Sequence, residues 1–147
     1  MDEVTLFTIG FAKKSAEQFF SILMQAGVQK VFDIRLHNVS QLAGFTKRDD
    51  LSYFLKAIAD IDYLHMLSLA PTQEILDAYR KKKGGWASYE QSFNALLRER
   101  KPEQFLSREK IQHACLLCSE PSPDHCHRRL VAQYLKDRWS GLRIVHL

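Results

Sequence analysis

Residues 4–34 read VTLFTIGFAKKSAEQFFSILMQAGVQKVFDI, and their order decides the fold. VTLFTI is β-branched, aromatic or aliphatic throughout, and Gly10 ends it as a turn, so a strand is expected over 4–9. Ser15 is a natural N-cap before AEQFFSILMQAG, in which Phe19, Phe20, Leu23 and Met24 recur at helical spacing. Gly27 stands where a C-cap glycine belongs. VQKVFDI, 28–34, reads as a second strand. A strand, a helix and a strand in so short a space favour a parallel pair joined by a right-handed crossover.

The rest of the chain continues the alternation. Residues 47–61 (KRDDLSYFLKAIADI) set Leu51, Phe54, Leu55 and Ile58 on one helical stripe. Residues 62–69 (DYLHMLSL) read as a short third strand. Thr72 caps a helix expected to run to about Lys82. Gly84-Gly85 marks a break, with Trp86 beside it to cover a pocket or to anchor the loop, and 88–100 (SYEQSFNALLRER) reads as another helix. Pro102 opens a short one, PEQFLSRE. Residues 111–118 (IQHACLLC) read as a fourth strand, nearly continuous in apolar residues as befits a strand covered on both faces. A loop with two prolines follows, then a helix over 125–138 with Asp124 as its cap, Gly141 as its stop, and a last strand over 142–147. The expected fold is α/β: a single three-layer domain over 1–147, with a mostly parallel sheet of about five strands flanked by helices.

Composition narrows the function classes. The chain has 147 residues, enough to bury a core without staples. No apolar run approaches a membrane span, and residues 1–10 lack the basic and apolar regions of a signal peptide, so a cytoplasmic protein with no membrane partner is expected. Three cysteines, an odd number confined to 115–126, do not make a secreted disulfide framework. The net charge of +4, carried largely by 80–83, 98–101 and 128–129, suits solvated helix ends or an anionic partner.

In a parallel sheet, ligands bind outside the carboxyl ends of the strands. Strand one ends at Thr8-Ile9-Gly10, strand two at Asp33-Ile34-Arg35, and strand four at Cys118-Ser119-Glu120. Residues two apart share a face of a strand, which pairs Asp33 with Arg35 and Cys118 with Glu120. The next element places Cys126, His127 and Arg128 in the first turn of a helix. There, free backbone N–H groups and the helix dipole favour a thiolate or a bound anion. Cys115 reads as core. His37 reads as a loop surface residue near the crevice, His65 and His113 as half-buried strand residues, and His146 as a residue near the end of the last strand, with an approach to the same edge as the lesser alternative. Cys115, Cys118, Cys126 and His127 can be written as four zinc ligands, but a strand turns Cys115 and Cys118 to opposite sides and no glycine knuckle is present. A looser iron or zinc site would draw on Cys118, Glu120, Cys126 and His127.

A first strand ending TIG, a second ending Asp33-Ile34-Arg35, Cys118-x-Glu120, Cys126-His127-Arg128 opening a helix, and a terminal Val-His-Leu together form one pattern. The chain resembles the domain of unknown function family 488, small α/β proteins, over almost its whole length. The resemblance implies a shared polar site of Asp33, Arg35, Cys118, Glu120, Cys126, His127 and Arg128, with Thr8 and Gly10 beside it. Two segments depart from the family pattern. Residues 36–39 (LHNV) lack the usual proline, and 68–71 (SLAP) replace a leucine-glycine-glycine segment.

The expectation is an enzyme, a cysteine-dependent transferase or hydrolase, acting on an anionic, phosphate-containing small molecule or nucleic-acid component. Cys126 would be the nucleophile or redox-active thiol, and His127 or Glu120 would move protons. Asp33 would orient or activate a partner, and Arg35 with Arg128 would bind the anion, with Thr8, Gly10 and Cys118 lining the site. The alternatives are a metal-binding protein holding an iron or zinc ion and a non-catalytic nucleic-acid binding module, the latter resting on charge alone.

Overall fold

A computed structural model describes residues 3–39, 44–81, 84–120 and 122–147. Five parallel strands form one sheet: β1 (Val4–Gly10), β2 (Lys30–Asp33), β3 (Asp62–His65), β4 (Ala114–Cys118) and β5 (Leu142–His146), in the order β3-β2-β4-β1-β5. The sheet is thus entirely parallel. Six helices complete the described domain: α1 (Ala16–Ala26), α2 (Arg48–Ala59), α3 (Gln73–Arg80), α4 (Gly85–Arg100), α5 (Arg108–Ile111) and α6 (His127–Arg138). No described helix is long and apolar enough to cross a membrane.

The layers follow from the period-2 alternation of the strands. On one face Phe7, Ile9, Val31, Cys115 and Leu117 pack against Phe19, Phe20 and Leu23 of α1 and Leu51 and Leu55 of α2. On the other, Leu6, Phe32, Ile34, Ala114 and Leu116 pack against Tyr89, Phe93 and Leu97 of α4 and Leu130, Val131 and Leu135 of α6. Neither face of the sheet is left to water, which is why β4 is buried at every position.

Local signals hold the ends of the first helix. Ser15 Oγ accepts the Gln18 N–H and Gln18 returns the bond to the Ser15 N–H, a capping box, while Gly27 at φ 78° closes α1. Thr72 Oγ1 caps α3 by accepting the Ile75 N–H. α3 ends at Arg80, and Lys82, its expected limit, lies outside the described residues, as does Pro121 of the proline loop.

Elsewhere tertiary geometry moves the boundaries. Residues 111–113 do not belong to the fourth strand. Ser107 Oγ accepts the Lys110 N–H and starts the short helix α5, and His113, at φ 59°, turns the chain before β4 begins at Ala114. The helix expected over 102–109 splits into a 3-10 turn, Pro102–Gln104, and α5. β3 stops at His65 because Leu67–Leu69 coils into a second 3-10 turn. α4 starts three residues early, at Gly85, with Gly84 at φ 87° as its N-cap. α6 starts two residues late, at His127. Its N-cap is Cys126 in an extended conformation, while Asp124 sits exposed in the preceding turn.

The sheet order creates a switch point. The chain leaving β2 turns outward to the edge strand β3, whereas the chain leaving β4 passes through α6 to β5 on the opposite side. β2 and β4 are neighbours, with Asp33 opposite Leu117. Connections that diverge from adjacent parallel strands open a crevice at their carboxyl ends.

Candidate active site

A cleft of about 360 Å³ occupies that crevice. Phe11 enters from the end of β1, Arg35, Leu36 and His37 from β2, and Cys118, Ser119 and Glu120 from β4. His125, Cys126 and His127 lead into α6, and Pro71, Leu76, Tyr79, Arg80, Trp86 and Tyr89 form the wall built by α3 and α4. The substituted segment 68–71 therefore borders the cleft. Its carbonyls are gathered by Arg100, whose guanidinium donates to Ser68 O at 2.9 Å and Ala70 O at 2.6 Å.

The floor is formed by cysteine and histidine. Cys118 ends β4 and Cys126 caps α6, and their sulfurs are joined as a disulfide. Both are buried. His127 Nδ1 lies 4.0 Å from Cys126 Sγ. Its other nitrogen, Nε2, is 2.7 Å from Ile34 O. A carbonyl can only accept, so Nε2 carries the proton and Nδ1 presents its lone pair to the sulfur. Burial disfavours the imidazolium and lowers the His127 pKa to about 4, so the ring is neutral at pH 7. Phe93 packs edge-on against the ring at 5.4 Å between centroids. Cys115 faces the α1/α2 side as a free, buried thiol, its pKa pushed far up by desolvation.

The cationic wall is held from behind. Arg35 Nε donates to Asp33 Oδ1 and its terminal nitrogen to Asp33 Oδ2, each at 2.8 Å. The same terminal nitrogen donates to Thr46 O at 2.7 Å. Tyr63 adds its hydroxyl to Asp33 Oδ2 and accepts from Asn38 Nδ2. Burial, and then that carboxylate, push the Tyr63 pKa well up. Asp33 is fully buried and does not line the cleft, whereas Arg35 does, lying over the Phe11 ring. His65 Nε2 donates to Arg35 O at 2.8 Å, pinning the backbone at the same point.

Arg128 stands on the far side of β4. It is fully buried, donates to Thr8 Oγ1 at 3.2 Å and to Glu120 O at 3.4 Å, and does not line the cleft. Thr8 in turn shares a 2.6 Å hydrogen bond with His146 Nδ1. Burial and the nearby Arg128 and Arg129 lower the His146 pKa. Gly10 is buried opposite Cys118 in the sheet, and its carbonyl accepts from Lys14 Nζ at 2.7 Å. The site residues expected from sequence thus fall into two groups. Arg35, Cys118, Glu120, Cys126 and His127 meet in the cleft. Thr8, Gly10 and Arg128 brace its β1–β4 side, and Asp33 braces it from behind Arg35.

Glu120 lies in the exposed loop after β4. Among the described residues no three His, Cys, Asp or Glu side chains are grouped to hold a metal ion, the set of Cys118, Glu120, Cys126 and His127 included. His37 is exposed at the cleft rim and bonds Gln73 Oε1 at 2.6 Å.

Two features were not expected from sequence. One is the Cys118–Cys126 contact. The other is the set of partners around Trp86, itself expected to cover a pocket or anchor its loop: it stacks on Tyr89 at 4.9 Å and on His125 at 5.1 Å, with Tyr79 tilted against Tyr89 at 5.1 Å, as an aromatic wall. With the helix expected to start at Ser88, the three-residue step from Trp86 to Tyr89 does not read as one helical face; the earlier start of α4 at Gly85 makes it one.

No curated protein and no solved structure matches the chain. The family model described as "Domain of unknown function DUF488" matches residues 15–135, which run from the N-cap of α1 into α6 and include β2, Cys118, Glu120, Cys126, His127 and Arg128. With that span matched, and the fold and cleft as described, the chain belongs to the domain of unknown function family DUF488.

Proposed function

We propose that the chain is a cysteine-dependent enzyme, a transferase or hydrolase, whose substrate is a small anionic molecule with a flat apolar portion. A phosphorylated nucleic-acid component carries both features. One observation carries the reading: Cys126 Sγ and His127 Nδ1 face each other at 4.0 Å on the floor of a cleft at the sheet's switch point.

The chemistry belongs to the reduced form, in which Cys126 is a thiol. Its place as N-cap of α6 favours the thiolate through the helix dipole, its sulfur accepting no first-turn N–H in this structure. His127, oriented by Ile34 O, accepts the thiol proton at Nδ1. Arg35 and Arg80 supply positive charge to the anion, and Asp33 fixes Arg35 in place. Trp86 and its aromatic neighbours receive the flat portion. Arg128 holds the turn after β4 through Glu120 O, which keeps Glu120 at the rim for proton transfer with solvent.

The test is substrate protection. Reduced protein is labelled with iodoacetamide in the presence of a nucleoside monophosphate, inorganic phosphate or neither, and each cysteine is followed by peptide mass spectrometry. The expected result is that millimolar nucleoside monophosphate slows labelling of Cys126, with inorganic phosphate less effective, and that Trp86→Ala removes the difference between them. Equal Cys126 labelling under all three conditions contradicts the reading.

A further inference from the structure

We propose that Cys118 and Cys126 are a reversible dithiol–disulfide couple that switches the site, leaving it active only when reduced. The inference rests on Cys126 being the nucleophile, as read above, and adds the regulation of that thiol.

The placement of the pair is specific. Cys118 is the last residue of β4, and its carbonyl is held by the Phe11 N–H at 3.2 Å. Cys126, eight residues on, caps α6, and the two sulfurs are joined across the start of the cleft loop. Both residues line the cleft, so a small molecule that enters it meets the pair. Cys115 is excluded: it is fully buried on the opposite face of the sheet and free. Of three cysteines, two are thus matched to each other and one is shielded from them.

Breaking the bond costs little structure. Ser119, Glu120, Ser122, Asp124 and His125 of the intervening loop are exposed, so the loop can adjust as the two buried sulfurs part. Cys118 stays anchored by its sheet pairing with Gly10 and Cys126 by the helix it caps. The two thiols are also unequal. Cys126 has the helix start and His127 Nδ1 beside it, which makes it the attacking sulfur, and Cys118 is the resolving one.

The oxidant is a low-molecular-weight disulfide. The Cys126 thiolate attacks one of its sulfurs, a Cys126 mixed disulfide forms, and the first small thiolate leaves and takes up the proton lost by Cys126. The Cys118 thiolate then attacks Cys126 Sγ, forming the Cys118–Cys126 bond and releasing the second small thiolate, which takes up the proton from Cys118. Two protein thiols are oxidised and one small disulfide is reduced to two small thiols.

The test uses the whole chain equilibrated with oxidised and reduced glutathione, trapped with an alkylating reagent and mapped by peptide mass spectrometry. Oxidation is expected to lower the alkylatable thiols, after denaturation, from the three present to Cys115 alone. It should link Cys118 to Cys126, and excess reduced glutathione should restore all three. Cys118→Ser, with Cys118→Ala as its replicate, should accumulate glutathione on Cys126. The wild-type map needs no variant to fold. If no Cys118–Cys126 link forms while reduced Cys126 is still protected by nucleoside monophosphate, the switch is overturned and the thiol-enzyme reading stands. If that protection is also absent, both are overturned. A mixed disulfide on Cys118 in Cys126→Ser as fast as on Cys126 in Cys118→Ser overturns the assigned order of attack.

Discussion

Both carboxylate oxygens of Asp33 are already occupied, by the Arg35 N–H, the Arg35 guanidinium and the Tyr63 hydroxyl. Its part is therefore to fix Arg35 rather than to touch a substrate. Removing one partner of a buried ion pair leaves an uncompensated charge, so Asp33→Asn should lower stability by about 3 kcal/mol, measured as a fall in the urea midpoint. An unchanged midpoint would show that the pair does not support the fold. His127 makes a second prediction at this scale. Its folded pKa of about 4 lies below the ordinary value of 6.5, so as pH falls below 6.5 the unfolded chain gains a proton that the folded chain refuses until about pH 4. The stability contribution is complete above pH 6.5 and declines between 6.5 and 4, by about 3 kcal/mol in all. Urea titrations across that range should show the decline in the wild type and a shallower one in His127→Gln. Parallel curves would contradict the neutral, buried imidazole.

At the scale of elements, legibility depended on whether a signal was local. Ser15, Gly27 and Thr72 announce their caps because capping is settled within four residues of chain. Ser15→Ala should cost about 1 kcal/mol, read as a lower melting temperature. The start of β4 was hidden because Ile111 stands just ahead of the apolar run from Ala114, yet Ser107 and the left-handed His113 commit 111–113 to a turn. Asp124 looked like the cap of α6, but burying Cys126 beneath the loop moved the helix start past it. Gly84 shows how an element positions the site. At φ 87° it begins α4, and a Cβ there would stand 2.5 Å from Ser88 Cβ. Gly84→Ala should therefore destabilise the protein by about 1–2 kcal/mol and shift the fluorescence of Trp86, two residues along α4. A variant with wild-type melting and emission would show that the start of α4 does not hold the aromatic wall.

Across the whole molecule, alternation of strands and helices was enough to expect a parallel α/β sheet, and the end-of-strand rule placed Arg35, Cys118 and Glu120 at one edge. The strand order was not legible. β4 lies between β2 and β1, so a strand formed late in the chain becomes the neighbour of Asp33, and its end meets His127 against Ile34. Nothing local encodes that insertion, and the Cys118–Cys126 contact and the aromatic wall both depend on it. It also divides the expected polar residues between the cleft and its supports, leaving Thr8 and Arg128 behind β4. The central claim is that this arrangement makes Cys126 the reactive thiol, and site-resolved alkylation of the fully reduced, folded chain tests it most directly. With iodoacetate, an anion, the account predicts that Cys126 is modified first, Cys118 more slowly and Cys115 only on unfolding, and that His127→Gln slows Cys126 selectively. Labelling of all three cysteines together, or of Cys118 ahead of Cys126, would contradict it.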